Sequence, residues 1–92
     1  MNIEWDEKKN QINQKKHGIS FEFATHLFTD DLRKERYDDK HSNPEEDRII
    51  VIGNALGRLL VVIFTEPDPD TIRIISARKA RKHERSYYYG NG

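Results

Sequence analysis

Ninety-two residues lie near the lower size at which one hydrophobic core holds a domain together unaided, so the chain reads as a single domain, residues 1–92. Having no cysteine, it can form no disulfide framework, no thiolate metal site and no nucleophilic thiol. The formal charge is zero, from 16 basic and 16 acidic residues, but residues 30–47 hold eight acids against four bases, and residues 71–92 hold six bases against the single acid Glu84. Such asymmetry is the footprint of a local anion-binding surface.

In chain order, Ile3-Glu4-Trp5 alternates apolar and polar residues as a short first strand, and Asp6 is placed to cap the helix behind it. That helix runs to about His17, with Trp5, Lys9, Ile12, Asn13 and Lys16 on roughly one side, lysines in its last turn and Gly18 as its stop. Ser20 caps a second, short helix whose Phe21, Ala24, Leu27 and Phe28 recur at helical spacing until Asp30-Asp31 breaks it. Residues 34–37 read as an edge strand charged enough to discourage stray pairing, and residues 40–47 as a mobile loop of turn formers and charge.

Residues 48–53 and 58–65 are β-branched runs joined by Asn54-Ala55-Leu56-Gly57 at hairpin length, and the turn from Glu66 to Asp70 leads into a strand over 71–75. Ser76 then caps a helix over 77–89. The 3.6 period places Ala77, Ala80, Glu84, Tyr87 and Tyr88 together on it, beside a basic strip of Arg78, Arg81, Lys82, Arg85 and Tyr89. The expected architecture is α+β, a small antiparallel sheet of three to four strands in a meander, packed with two N-terminal helices and one C-terminal helix. No apolar run approaches the ~20 residues that span a bilayer, and the first six residues lack the order of a secretory signal, which implies a cytoplasmic protein.

Arg73 interrupts an apolar strand. Because burying an unpaired charge costs several kcal/mol, it must either meet a carboxylate such as Glu66 or line an open concave surface where a phosphate can lie. The basic strip matches the needs of backbone phosphates, although such strips are more often the solvated face of a surface helix. Glu84, the lone acid among these cations, can orient an arginine or act as a base, and Tyr88 offers a phenol for hydrogen bonding or base stacking, or simply packs. His17 can relay protons near neutral pH or rest beside the terminal carbonyls of its helix. His26, His41 and His83 lack the spacing with carboxylates that a metal site requires, so no metal and no other cofactor is expected.

Taken together, Glu4-Trp5-Asp6, Lys9, Asn13, Lys16-His17-Gly18, Phe21, Ala24, Phe28, Ile52-Gly53, residues 58–62, Thr65-Glu66 and residues 72–80 with Glu84 and Tyr88 resemble a BrnT-type toxin over nearly the whole chain. The resemblance implies a RelE-like ribonuclease of a bacterial type II toxin–antitoxin pair, neutralised by a BrnA-like ribbon-helix-helix antitoxin through which alone it reaches DNA. It implies Arg58, Arg73, Arg78, Glu84 and Tyr88 as candidate active-site residues, with His17 and Lys16 beside them. Lys79, Arg81, Lys82 and Arg85 complete the candidate RNA-binding set on charge alone.

Without metal or cysteine, the economical chemistry is attack of the substrate's own 2′-hydroxyl on the adjacent phosphate, with Glu84 or His17 as base, Arg73 and Arg78 stabilising charge, and Tyr88 stacking a base or donating a proton. That reading leans on the guanidinium groups of Arg73 and Arg78 converging on one open, wet hollow; were each locked to its own carboxylate, it would lose that footing. The rival is a non-catalytic module whose basic C-terminal helix docks an acidic or DNA-binding partner. Direct DNA binding is disfavoured, since no helix-turn-helix pair or ribbon pattern is visible.

Overall fold

The computed structural model describes residues 1–40, 42 and 46–90. Half of the anticipated loop at 40–47, His41 and residues 43–45, therefore lies outside the described residues. The chain builds β1 (Asn2–Trp5), α1 (Glu7–His17), α2 (Phe21–Ala24) running into a 3-10 turn (Thr25–Thr29), β2 (Lys34–Tyr37), β3 (Arg48–Ala55), β4 (Arg58–Asp68), β5 (Thr71–Lys79) and α3 (Lys82–Tyr88). The five strands form one sheet in the order β1-β5-β4-β3-β2. The α+β class and the order of elements are as the sequence implies, but the sheet is mixed: β1 pairs with β5 in parallel, Ile3 beside Ile72 and Trp5 beside Ile74. The meander of three to four strands is thus β2 to β5, and β1 joins its far edge, a pairing that the short alternating triplet Ile3-Glu4-Trp5 does not specify.

The hairpin between β3 and β4 is tighter than the four-residue link suggests. Leu56 and Gly57 both take positive φ, 50° and 92°, and form a two-residue turn whose twist matches that of the flanking strands. One sheet face carries Val51, Ala55, Leu60, Val62, Phe64, Ile72, Ile74 and Ala77, and Ile19, Phe21, Ala24 and Leu27 close over it. Edge-to-face contacts set the aromatic rims, Trp5 on Phe21 at 6.2 Å and Phe28 on Phe64 at 5.4 Å. Gly53 lies where the 3-10 turn crosses the sheet; a Cβ there would come within 2.8 Å of Leu27 Cγ and 3.1 Å of Arg33 Cβ. On the opposite face α3 packs against β3.

The first helix docks in an unanticipated way. It has no apolar stripe, and Ile12 is exposed, whereas Asn10 and Asn13 are buried. The Asn13 amide donates to the Ala77 and Ile19 carbonyls at 2.8 and 2.9 Å and accepts from the Ala77 N–H at 3.1 Å. β1 stops opposite Ile74, so the side chain of Asn13 continues the edge of β5 where no strand is left to do so. Asn10 accepts from the Phe21 N–H at 2.8 Å and donates to Glu22 at 2.7 Å, tying α1 to the start of α2.

These bonds overturn the helix expected over 77–89. Ser76, Ala77, Arg78 and Lys79 remain strand because β4 supplies a partner for each, from Ile63 to Leu60, and Ala77 is wholly buried in the core. A bulge at Ile75 keeps the alternation in phase with the core. Helix propensity loses to this tertiary pairing, and only seven residues from Lys82 form helix, with Arg81 rather than Ser76 as the N-cap. The basic strip is therefore not a helix face: Arg78 is in β5, Arg81 turns the corner, and only Lys82 and Arg85 lie on α3.

Two substitutions test this packing. Asn13→Ala strands three buried backbone groups and should lower unfolding stability by about 2–4 kcal/mol in denaturant titration. Gly53→Ala forces Leu27 aside and should cost about 1–3 kcal/mol in the same assay.

Candidate RNA-binding and catalytic site

Where β5 ends, α1 packs against the strand and the charges of Arg78 and Arg81 reach His17 at its last turn. Gly18 ends α1 with φ 71°, and Lys15, Lys16 and His17 crowd its last turn, where cations complement the helix dipole. Arg78 extends its guanidinium to Glu84 in a bidentate pair, 2.8 Å to Oε1 and 2.7 Å to Oε2, and also donates to the Lys79 carbonyl at 3.2 Å. Glu84 Oε1 further accepts the Arg81 N–H at 2.7 Å, so one carboxylate fixes the arginine and caps the first turn of α3. The pair is part-buried, the side chains 25% and 13% exposed.

That geometry sets the protonation states. The hydrogen bonds from Arg78 hold the Glu84 carboxyl at about 2, against the upward push of burial and with help from the Arg81 N–H. The His17 pKa is lowered as well, by burial first and then by the charges of Lys16, Arg78 and Arg81, which for a base favours the neutral imidazole at pH 7. Of the anticipated residues the fold thus couples His17, Lys16, Arg78, Arg81 and Glu84 electrostatically. Lys79 is exposed at the end of β5, and Lys82 and Arg85 are exposed on α3.

The expected convergence of Arg73 and Arg78 does not occur. Arg73 lies beyond the bulge at Ile75 and pairs with Glu4, its register neighbour on β1, at 2.7 Å; Glu66, the partner proposed from sequence, lines a hollow of about 410 Å³ beside it. Each guanidinium is held by its own carboxylate, so a single shared hollow is no part of the case for catalysis. The two pairs differ in kind: that of Arg73 is about half exposed on both sides and contributes little to stability, whereas that of Arg78 is bidentate and largely shielded. Arg58 begins β4 beside the point where β5 leaves the sheet, and its guanidinium lies 5.7 Å from the centre of the Phe23 ring.

Tyr88 is occupied. Its hydroxyl donates to Asp30 Oδ2 at 2.5 Å, and that bond, reinforced by burial and the charge of Asp30, pushes the phenol up to about 12. Burial alone would raise the Asp30 carboxyl, but the Tyr88 hydroxyl and the N–H groups of Asn54 and Leu32, with the charge of Arg33, outweigh it and hold it below the usual range. Asp30 therefore anchors α3 to the 3-10 turn. In the sequence Asp30 reads only as a helix breaker, since a short acidic turn residue carries no signal of a partner 58 positions away. Lys34 adds a second tie to α3, donating to the Tyr87 carbonyl at 2.6 Å with its ammonium 4.8 Å from the Tyr87 ring centre.

Three comparisons bear on this arrangement. Residues 5–84 match the family model described as the ribonuclease toxin, BrnT, of type II toxin–antitoxin systems. The fold is similar to the 1.1 Å crystal structure of the Brucella abortus ribonuclease toxin BrnT, with a TM-score of 0.68 and 28% identity over 89% of this chain and 99% of that one. A search of curated proteins gives no match.

The depressed Glu84 pKa predicts an acid limb in stability. Since the folded value lies below the ordinary 4.5, the stabilisation is present above about 4.5 and is lost as pH falls towards about 2. Thermal melts of the wild type should show this decline, and Glu84→Gln should flatten it.

Proposed function

From the premise that this chain belongs to the BrnT family of ribonuclease toxins of type II toxin–antitoxin systems, we propose that it cuts RNA without metal at the Arg78 cluster, and that this arrests growth until an antitoxin covers it. The observation that carries the site is the bidentate Arg78–Glu84 pair within electrostatic reach of His17, whose pKa burial and then the charges of Lys16, Arg78 and Arg81 lower.

The roles follow from the protonation states. Glu84 is held as a carboxylate by Arg78 and is a poor base; it orients the guanidinium. His17 takes the proton of the 2′-hydroxyl as the 2′-oxygen attacks phosphorus, Arg78 with Arg81 and Lys16 balances the charge of the phosphorane, and the P–O5′ bond breaks. The imidazolium returns its proton to the departing 5′-oxygen, leaving a 2′,3′-cyclic phosphate and a 5′-hydroxyl. Tyr88, with its hydroxyl given to Asp30, positions α3 rather than supplying the proton. Arg73 exchanges its exposed partner Glu4 for a more distant phosphate, and Arg58, Lys79, Lys82 and Arg85 extend the track.

Within this proposal residues 1–92 act as one ribonuclease domain, a mixed-sheet variant of the RelE-type fold, working in the cytoplasm. A type II toxin has an antitoxin partner; we take it to be a BrnA-like ribbon-helix-helix protein that brings the complex to DNA. No helix among the described residues is long and apolar enough to cross a membrane.

Purified protein freed of its antitoxin should cleave single-stranded RNA in EDTA and leave cyclic phosphate termini; intact RNA would return the chain to the class of docking modules. Arg78→Ala should reduce cleavage by about 100-fold or more and abolish growth arrest, with the fold retained by circular dichroism. With a neutral His17 as base and its pKa lowered, kcat/KM should fall only at pH below the ordinary histidine value of 6.5 and stay level above it. His17→Asn should remove that limb.

A further inference from the structure

A hollow of about 330 Å³ opens between β2, β3 and α3, lined by Arg36, Ile50, Ile52, His83, Glu84 and Tyr87. Its floor is apolar, from Ile50 and Ile52 on the sheet face opposite the main core; one wall is the ring of Tyr87, 47% exposed, and its rim carries Arg36. Glu84 forms another wall, so a single side chain separates this space from the guanidinium of Arg78. Lys34 holds the Tyr87 backbone at 2.6 Å and stands by its ring, which fixes the aromatic wall from the edge strand.

We infer that this hollow is the subsite for one nucleobase of the RNA, next to the phosphate that Arg78 holds, and that Tyr87 is its stacking platform. The inference rests on the ribonuclease reading and adds a determinant of base preference to it. Three features favour a base over a protein side chain. An apolar floor with one aromatic wall suits a flat π-face, the space lies at the small end of ligand pockets, and the rim cation Arg36 suits an adjacent phosphate. Tyr88, the other candidate platform, is bound to Asp30 and lines none of this space. Ile50 and Ile52 cannot pair with base edges, so discrimination falls to the rim, where Arg36 and the His83 ring offer the hydrogen-bonding groups.

The test is cleavage of a random-sequence single-stranded RNA pool by wild type, Tyr87→Ala, Tyr87→Phe and Arg36→Ala, with the cut ends sequenced and KM measured on one preferred oligonucleotide. Wild type should show a base preference at a position beside the cut. Tyr87→Ala should raise KM about tenfold, a size typical of a lost stacking contact, and flatten the preference, while Tyr87→Phe keeps both. Arg36→Ala, on an exposed side chain, should shift the preference even if Tyr87→Ala fails to fold. Cleavage at unchanged positions by Tyr87→Ala and Arg36→Ala overturns the subsite but leaves the ribonuclease reading standing. The same result with weakened binding of the cognate antitoxin assigns the hollow to that protein instead. No cleavage by wild type overturns both readings.

Discussion

The structure depends on one side-chain amide. Asn13 bonds both the N–H and the C=O of Ala77 and so acts as a one-residue strand along the part of β5 that β1 does not reach. Because α1 has no apolar stripe to bury, this contact and the similar one made by Asn10 do the docking that hydrophobic burial does for most amphipathic helices. Such polar joints carry a directional demand: the amide bonds Ala77 in one register only, since a slip by one residue would leave buried groups unpaired.

That register is what assembles the candidate site. His17 stands one helical turn beyond Asn13, and Arg78 one residue beyond Ala77. Fixing the first pair of positions therefore fixes the second, and the charge of Arg78 bears on the imidazole. The same constraint keeps residues 76–79 in the sheet, which in turn confines α3 to a short segment that cannot hold itself in place by helix propensity. It is held instead by Glu84 on Arg78, by Tyr88 on Asp30 and by Lys34 on Tyr87.

Pairing of opposite charges also explains how a formally neutral chain presents a cationic surface. Some acids of the 30–47 segment and of β1 are used structurally: Asp30 receives the Tyr88 hydroxyl and two backbone N–H groups, Glu35 lies by Arg33, and Glu4 by Arg73. Lys16, Lys79, Arg81, Lys82 and Arg85 stay exposed around the exit of β5. The exposed Arg73–Glu4 pair contributes little by itself, while the shielded, bidentate Arg78–Glu84 pair specifies a geometry.

Local chemistry by itself determined the α+β class, the caps at Asp6, Gly18 and Ser20, the β3–β4 hairpin, the covering helix around Phe21, Ala24 and Leu27, and the clustering of cations after residue 71. Each of these is written in periodicity or in a cap residue that acts within a few positions of itself. Only the tertiary structure decided that β1 joins β5 in parallel, that the chain stays extended through Lys79, that Arg73 and Arg78 part to separate carboxylates, and that Asp30 holds Tyr88. Those outcomes depend on partners 58 to 69 positions apart for the Asp30 and Glu4 contacts and 64 for Asn13, and a side chain's local propensity carries no information about a hydrogen-bond partner that only folding brings near.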